Sequence, residues 1–149
     1  MAHLTGQLAA HHKHCDEGFA DAEDAVRAGD WETSGRALEQ FRNDLETHFG
    51  AEEEVLFPAF ESMLGTASGP TQVMRMEHSQ MRALVDQTVA AQAARDADAF
   101  LGAAETLLIM LQQHNLKEEN ILYPMCERAL GADPTVAERI GQALATSAA

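Results

Sequence analysis

The chain has 149 residues, a length typical of one domain and sufficient to bury a full hydrophobic core. It carries 24 aspartates and glutamates against 10 lysines and arginines, so its net charge is −14 with the seven histidines neutral. This acidity argues against nucleic acids and anionic membranes as partners, because their phosphate groups attract basic surfaces.

Three features of the sequence favour the cytoplasm as the protein's location. Residues 1–4 contain no apolar segment of the kind found in secretory signals. The longest aliphatic run, residues 107–111, is far too short to span a membrane. Two cysteines cannot form a disulfide scaffold, which fits a reducing compartment.

Apolar residues recur at intervals of three and four in four successive segments, the pattern of amphipathic helices. The apolar stripe of the second segment extends to Met63, and that of the fourth extends through Ile121 to Met125. Aromatic residues form only 5% of the chain, which also favours helices over strands. The segments are separated by glycine-rich or polar breaks at residues 29–30, 65–70 and 94–98.

These elements predict an all-α fold in one domain, residues 1–149. Its core, about residues 8–130, is expected to be an up-down-up-down four-helix bundle. Asp30 is predicted to cap the second helix, and Asp133 with Pro134 to begin a short C-terminal helix over residues 133–146.

An internal repeat relates the two halves of the chain. His48 and Glu52, followed by Leu56 and Pro58, have counterparts 66 residues later in His114, Glu118, Leu122 and Pro124. His12 and His78 are separated by the same interval. The sequence therefore predicts two copies of one helical hairpin.

The repeat predicts that four histidines meet at one level of the bundle. His12 and His48 are equally distant from the first turn, and His78 and His114 are equally distant from the third. Each glutamate follows its histidine by one helical turn on the same face. The six side chains stand at core positions where hydrophobic residues would be expected, and they are His12, His48, Glu52, His78, His114 and Glu118.

This set of residues predicts a metal site. Burying unpaired charges would cost several kcal/mol each, a cost that a bound cation removes. Imidazole and carboxylate donors without a thiolate pair suit iron or manganese better than structural zinc. Six side chains can serve one octahedral ion or two ions bridged by both glutamates, and the repeat favours two.

Taken together, the motifs resemble the hemerythrin-like, HHE cation-binding family. They are His12-Lys13, His48-x3-Glu52-Glu53 with Leu56-Phe57-Pro58, Glu77-His78, and His114-x3-Glu118-Glu119 with Leu122-Tyr123-Pro124. The resemblance implies a non-haem di-iron centre bridged by the two glutamates and an oxo or hydroxo group. It also implies a small ligand or substrate such as O2, nitric oxide or peroxide, or else the storage and delivery of iron.

Two positions differ from the pattern of the reversible oxygen carriers. Those relatives have a fifth histidine where this chain has Arg82, and an aspartate where it has Glu119. The pattern is closer to the four-histidine, two-glutamate subgroup, which includes iron-sensing and iron-centre-repair proteins. Enzymatic activity stays open, no protein partner is indicated, and the alternatives are an iron sensor or donor and a metal-free helical interaction module.

Several neighbouring residues have less defined roles. His11 flanks the core stripe and is either an additional ligand or a residue beside the ligands or on the surface, whereas His3 and His14 are expected to be solvated. Glu53 and Glu119 lie one step off the stripe, which favours contacts around the ligands, or a place on the surface, over ligation. Tyr123 is expected to pack in the core or at an interface.

Overall fold

The computed structural model describes residues 4–66 and 68–145, and these ranges contain helices and turns but no strand. His3, which we expected to be solvated, lies outside them. In chain order the helices are α1 (Gly6–Arg27), α2 (Trp31–Ala51), α3 (Phe57–Leu64), α4 (Pro70–Ala93), α5 (Ala97–Lys117), α6 (Tyr123–Leu130) and α7 (Pro134–Ala145). The all-α prediction is confirmed.

The helices form a bundle of two hairpins. α1 packs mainly against α2, and α4 packs mainly against α5. The hairpins meet where α2 contacts α4 and α1 contacts α5, while α7 lies against α2. This is the predicted up-down-up-down arrangement with a short C-terminal helix. Across the described part of the chain, no helix is both long and apolar enough to cross a membrane.

Two π-helical turns join α2 to α3 and α5 to α6, over Glu52–Leu56 and Glu118–Leu122. Such a turn holds one more residue than an α-helical turn, so it changes which later residues face the core. Ile121, expected in the apolar stripe, is 57% exposed, and its neighbour Leu122 is buried instead. Met63, also expected in the stripe, is likewise exposed. The predicted stripes are therefore wrong at Ile121 and Met63, whereas Met125 is partly buried and packs against the core as predicted.

The core consists of two apolar clusters with a polar layer between them. One cluster lies toward the hairpin turns and includes Phe19, Phe41 and Phe100. The other includes Leu8 and Phe60 and is completed by residues of α6 and α7. The histidines predicted to meet occupy the intervening positions on the four long helices.

The two hairpin turns repeat each other in detail. Asp30 and Asp96, which are 66 residues apart, accept hydrogen bonds from the amides of Thr33 and Ala99, at 3.1 Å in both cases. Each aspartate thereby satisfies an amide at the start of its helix, as predicted for Asp30. Because these turns fix where each following helix begins, they also determine the height in the bundle at which its histidine lies.

Replacing either capping aspartate with alanine is expected to lower the free energy of unfolding by about 1 kcal/mol. The cause is the loss of the acceptor for the first-turn amide. Urea denaturation of Asp30→Ala and Asp96→Ala tests this, with Asp30→Asn and Asp96→Asn as controls that retain a capping oxygen. Equal stabilities for the alanine and asparagine variants would contradict the capping role.

Candidate metal centre

The six side chains predicted to meet do so in the polar layer. The histidines come from α1, α2, α4 and α5, one from each helix. Glu52 and Glu118 are each the first residue of a π-helical turn. All six residues are at most 5% exposed, and Glu52, His78 and Glu118 are fully buried.

Each carboxylate lies between two imidazoles, one from each hairpin. Oε1 of Glu52 is 3.6 Å from Nε2 of His48 and 3.1 Å from Nε2 of His78. Oε1 of Glu118 is 3.1 Å from Nε2 of His12 and 3.3 Å from Nε2 of His114. The internal repeat thus extends to the atoms of the centre.

Several buried nitrogen and oxygen atoms of this layer lack hydrogen-bond partners within the described part of the chain, as expected for atoms that bind a cation. Four buried atoms have no hydrogen-bond partner among the described residues: Oε1 of Glu52, Nε2 of His78, Nε2 of His114 and Oε2 of Glu118. Their residues form one cluster whose ligand atoms lie within 4.8 Å of one another, and His12, His48 and Glu118 form a second. Unpaired buried donors and acceptors are costly, and nitrogen and oxygen donors of this kind suit a transition metal. The residues present therefore fit a bound metal.

Carboxylates outside the layer orient two of the imidazoles. Nδ1 of His78 lies 2.6 Å from Glu53, and Nδ1 of His12 lies 2.7 Å from Glu119. An ionised carboxylate only accepts, so each Nδ1 donates its hydrogen and leaves the lone pair of Nε2 for the centre. Glu53 and Glu119 thus hold ligands in place from outside.

The other two imidazoles have outer partners of different charge. Nδ1 of His114 donates to Glu77 at 2.7 Å, whereas Nδ1 of His48 lies 3.0 Å from Nδ1 of His11. Burial, aided by the neighbouring His48 and His14, lowers the pKa of His11 to about 4, which keeps the ring neutral at pH 7. In the structure His11 supports His48 from outside the central cluster.

Arg82 stands where the oxygen-carrier pattern has a fifth histidine. Its guanidinium binds Glu46 at 2.9 Å and Glu53 at 3.1 Å, and it lies over the ring of Phe49. Phe49 in turn stacks on His78. Although burial opposes it, hydrogen bonds from His78 and Arg82 lower the pKa of Glu53 to about 2. Arg82 therefore fixes the partner of a histidine rather than entering the layer.

Tyr123 packs in the core as predicted, and its hydroxyl in addition reaches the centre. Its hydroxyl donates to Oε2 of Glu52 at 2.8 Å and lies 3.3 Å from Nε2 of His12. Burial and the charges of Glu52 and Glu118 raise the pKa of Tyr123 well above its usual range. The corresponding residue in the first hairpin is Phe57, so the repeat gave no signal for a hydroxyl here.

Protons balance the buried carboxylates of the protein without metal. Burial alone would lower the pKa of His78, but the adjacent carboxylates of Glu52 and Glu53 raise it to about 9. Burial likewise opposes the shift of Glu52, yet His48 and the other neighbours hold its pKa well below the usual value. A cation bound at Nε2 of His78 would replace the proton that this nitrogen holds at pH 7.

This fold and this centre define a class of protein, the helical bundles that bind a metal through histidine and carboxylate. The family model of the hemerythrin HHE cation binding domain matches residues 3–126. The chain therefore belongs to the hemerythrin HHE family, whose members bind a metal cation, usually iron.

Two curated relatives show partial similarity to the chain. A DNA nickase from Nostoc sp. (strain PCC 7120 / SAG 25.82 / UTEX 2576) is 32% identical over 96 residues, covering 64% of this chain and 26% of the relative. The iron-sulfur cluster repair protein YtfE of Salmonella schwarzengrund (strain CVM19633) is 30% identical over 105 residues, covering 64% of this chain and 46% of the relative. The chain thus spans less than half the length of either relative. No solved structure matches it significantly.

Replacing Glu53 with glutamine is expected to lower the pKa of His78 from about 9 toward 6.5, because an ionic acceptor at Nδ1 becomes neutral. NMR titration of the His78 ring in metal-free protein measures this shift. The raised pKa stabilises the fold fully below pH 6.5, and the stabilisation is lost as the pH rises through about 9. Between pH 6.5 and about 9, the free energy of unfolding should therefore decrease less in Glu53→Gln than in wild type.

Glu54→Gln is the control, because Glu54 is exposed and adjacent to Glu53. An unchanged His78 pKa in Glu53→Gln, or an equal change in both variants, would contradict the role assigned to Glu53.

Proposed function

We propose that the chain is a non-haem di-iron protein that binds or reacts with a small oxidant such as O2, nitric oxide or peroxide. The observation that carries this proposal is that each buried carboxylate contacts one imidazole from each hairpin. Two imidazoles per hairpin and two shared carboxylates match a pair of ions better than a single ion. The proposed ligands are His12, His48, Glu52, His78, His114 and Glu118.

Bound iron would supply redox chemistry and open coordination positions for a small ligand. The protein's own residues orient the donors and keep bulk water away. Outer hydrogen bonds at Nδ1 direct the imidazoles, and the two apolar clusters enclose the layer. The Tyr123 hydroxyl is the one neutral O–H group at the layer within the described ranges, and it is placed to donate to an oxygen atom there.

A groove on the surface offers a route for a small ligand. Two adjoining depressions on the side of α1 that faces α5 and α6 share Ala9 and Glu119 in their walls. One of them reaches His12 and the other reaches Tyr123. A diatomic molecule or peroxide in these depressions would contact His12 or Tyr123, whose side chains reach the buried layer.

Iron donation, iron-centre repair or iron sensing is the second candidate function. It is favoured by the similarity to YtfE, whose name describes iron-sulfur cluster repair. In that case the same ligands would hold iron that leaves the protein or reports its supply. Reversibility of iron binding distinguishes this candidate from the first.

We propose that the protein works in the cytoplasm without binding nucleic acid or membranes. Two free, buried cysteines suit a reducing compartment. The net charge of −14 opposes contact with phosphate groups, so the nickase activity named for the Nostoc relative is not proposed for this chain.

Wild-type protein reconstituted without oxygen is expected to bind about two irons per chain. Glu52→Ala and Glu118→Ala should each lower this to about one or fewer, because each removes a carboxylate shared by both ions. Elemental analysis after desalting measures the content. Glu54→Ala is the matched control, since Glu54 is exposed two residues from Glu52. Iron-free wild-type protein, or equal content in all variants, would contradict the proposal.

Exposure of the reduced, iron-loaded protein to O2, followed by visible spectroscopy, separates the candidate activities. An absorption band that disappears on removal of O2 indicates a carrier, and irreversible oxidation or turnover of peroxide indicates a reactive centre. Rapid loss of iron to a chelator without either response would contradict oxidant chemistry and support iron delivery.

A further inference from the structure

Three metal-ligating side chains lie together outside the central layer, where α1 packs against α2. They are His11, His14 and Asp44, and they offer ligand atoms that all lie within 4.8 Å of one another. His11 and His14 are three residues apart, so they share one face of α1. Asp44 reaches them from α2, which makes the cluster a product of hairpin packing.

The carboxylate of this cluster is buried. The Asp44 side chain is only 4% exposed, and its oxygens contact Nε2 of His14 at 2.9 Å and Nε2 of Gln40 at 3.0 Å. The equivalent residue in the second hairpin is Met110, and the residue equivalent to His14 is Gln80. The second hairpin folds and contributes to the central layer without such a cluster, so hairpin packing by itself does not require it.

The donor set and its exposure suit a small cation. Two imidazoles and one carboxylate are typical ligands of first-row divalent metals. The His14 side chain is 59% exposed, so an ion can arrive from solvent without opening of the bundle. Water can complete the coordination on the exposed side.

We propose that His11, His14 and Asp44 form a second, peripheral site for a divalent transition-metal ion. None of these residues belongs to the six of the central layer, so the proposal of this site does not rest on the proposed di-iron centre. The site lies next to the layer, because His11 contacts the layer residue His48.

The contact between His11 and His48 opposes full occupancy of both sites. When Nε2 of His48 binds a central ion, its Nδ1 carries the hydrogen and His11 accepts it through Nδ1 at 3.0 Å. A peripheral ion bound through Nδ1 of His11 would take that acceptor away. Binding through Nε2 would instead move the hydrogen of His11 to Nδ1, where it would meet the hydrogen of His48. Either way, central metal weakens peripheral binding.

Titration of metal-free protein with Co²⁺, followed by its visible absorption and by equilibrium dialysis, tests the peripheral site. Wild-type protein is expected to bind one equivalent more than His14→Ala or Asp44→Asn. Gln80→Ala, which changes the exposed counterpart of His14, should match wild type. His14→Ala changes an exposed side chain and is expected to fold normally, which circular dichroism verifies.

Equal Co²⁺ stoichiometry and affinity in all four proteins would overturn the proposal, and so would the same loss in Gln80→Ala. Failure of the central centre is distinguishable, because it lowers the count in every protein and leaves the difference of one equivalent intact. Calorimetry of the extra equivalent in iron-loaded and metal-free wild type tests the coupling. Weaker binding in the iron-loaded protein supports it, and equal binding contradicts it.

Discussion

Burial of carboxylates and imidazoles in one layer is the constraint on which the rest of this structure depends. Glu52 and Glu118 are fully buried, and water cannot solvate their charge. Isolated buried charges cost far more than a domain of this size can spare from its stability. The layer is tolerable because protons on the histidines, or a cation in their place, balance the carboxylates. The apolar clusters on either side make that balance obligatory by excluding water.

The repeat explains why the outer shell is almost two-fold symmetric, and its exceptions mark where the halves differ. Glu53 accepts a hydrogen bond from Nδ1 of His78, and Glu119 accepts the equivalent hydrogen bond from Nδ1 of His12. Glu77 and His11 occupy equivalent positions but differ in charge. The carboxylate of Glu77 contacts His114, whereas the neutral ring of His11 contacts His48. Tyr123 is a second exception, and its hydroxyl contacts the layer. The two hairpins thus offer equal ligands in unequal surroundings.

Spacing in the sequence predicted most of the fold and the six central residues, because helix geometry converts sequence distance into height. Equal separation from a turn places two histidines level, whatever their surroundings. Sequence could not predict the π-helical turns, since these depend on how Glu52 and Glu118 reach into the layer from the long helices. The shift they cause exposes Ile121 and buries Leu122. Nor could the repeat indicate Tyr123, whose counterpart lacks a hydroxyl.

Anomalous diffraction from crystals of the iron-loaded protein, collected on both sides of the iron absorption edge, tests the central claim most directly. The account predicts two iron peaks within the polar layer, one beside the histidines of each hairpin, with Glu52 and Glu118 contacting both. A single peak held by all six side chains would contradict the two-ion centre. Iron bound only outside the layer would contradict the role of the buried residues altogether.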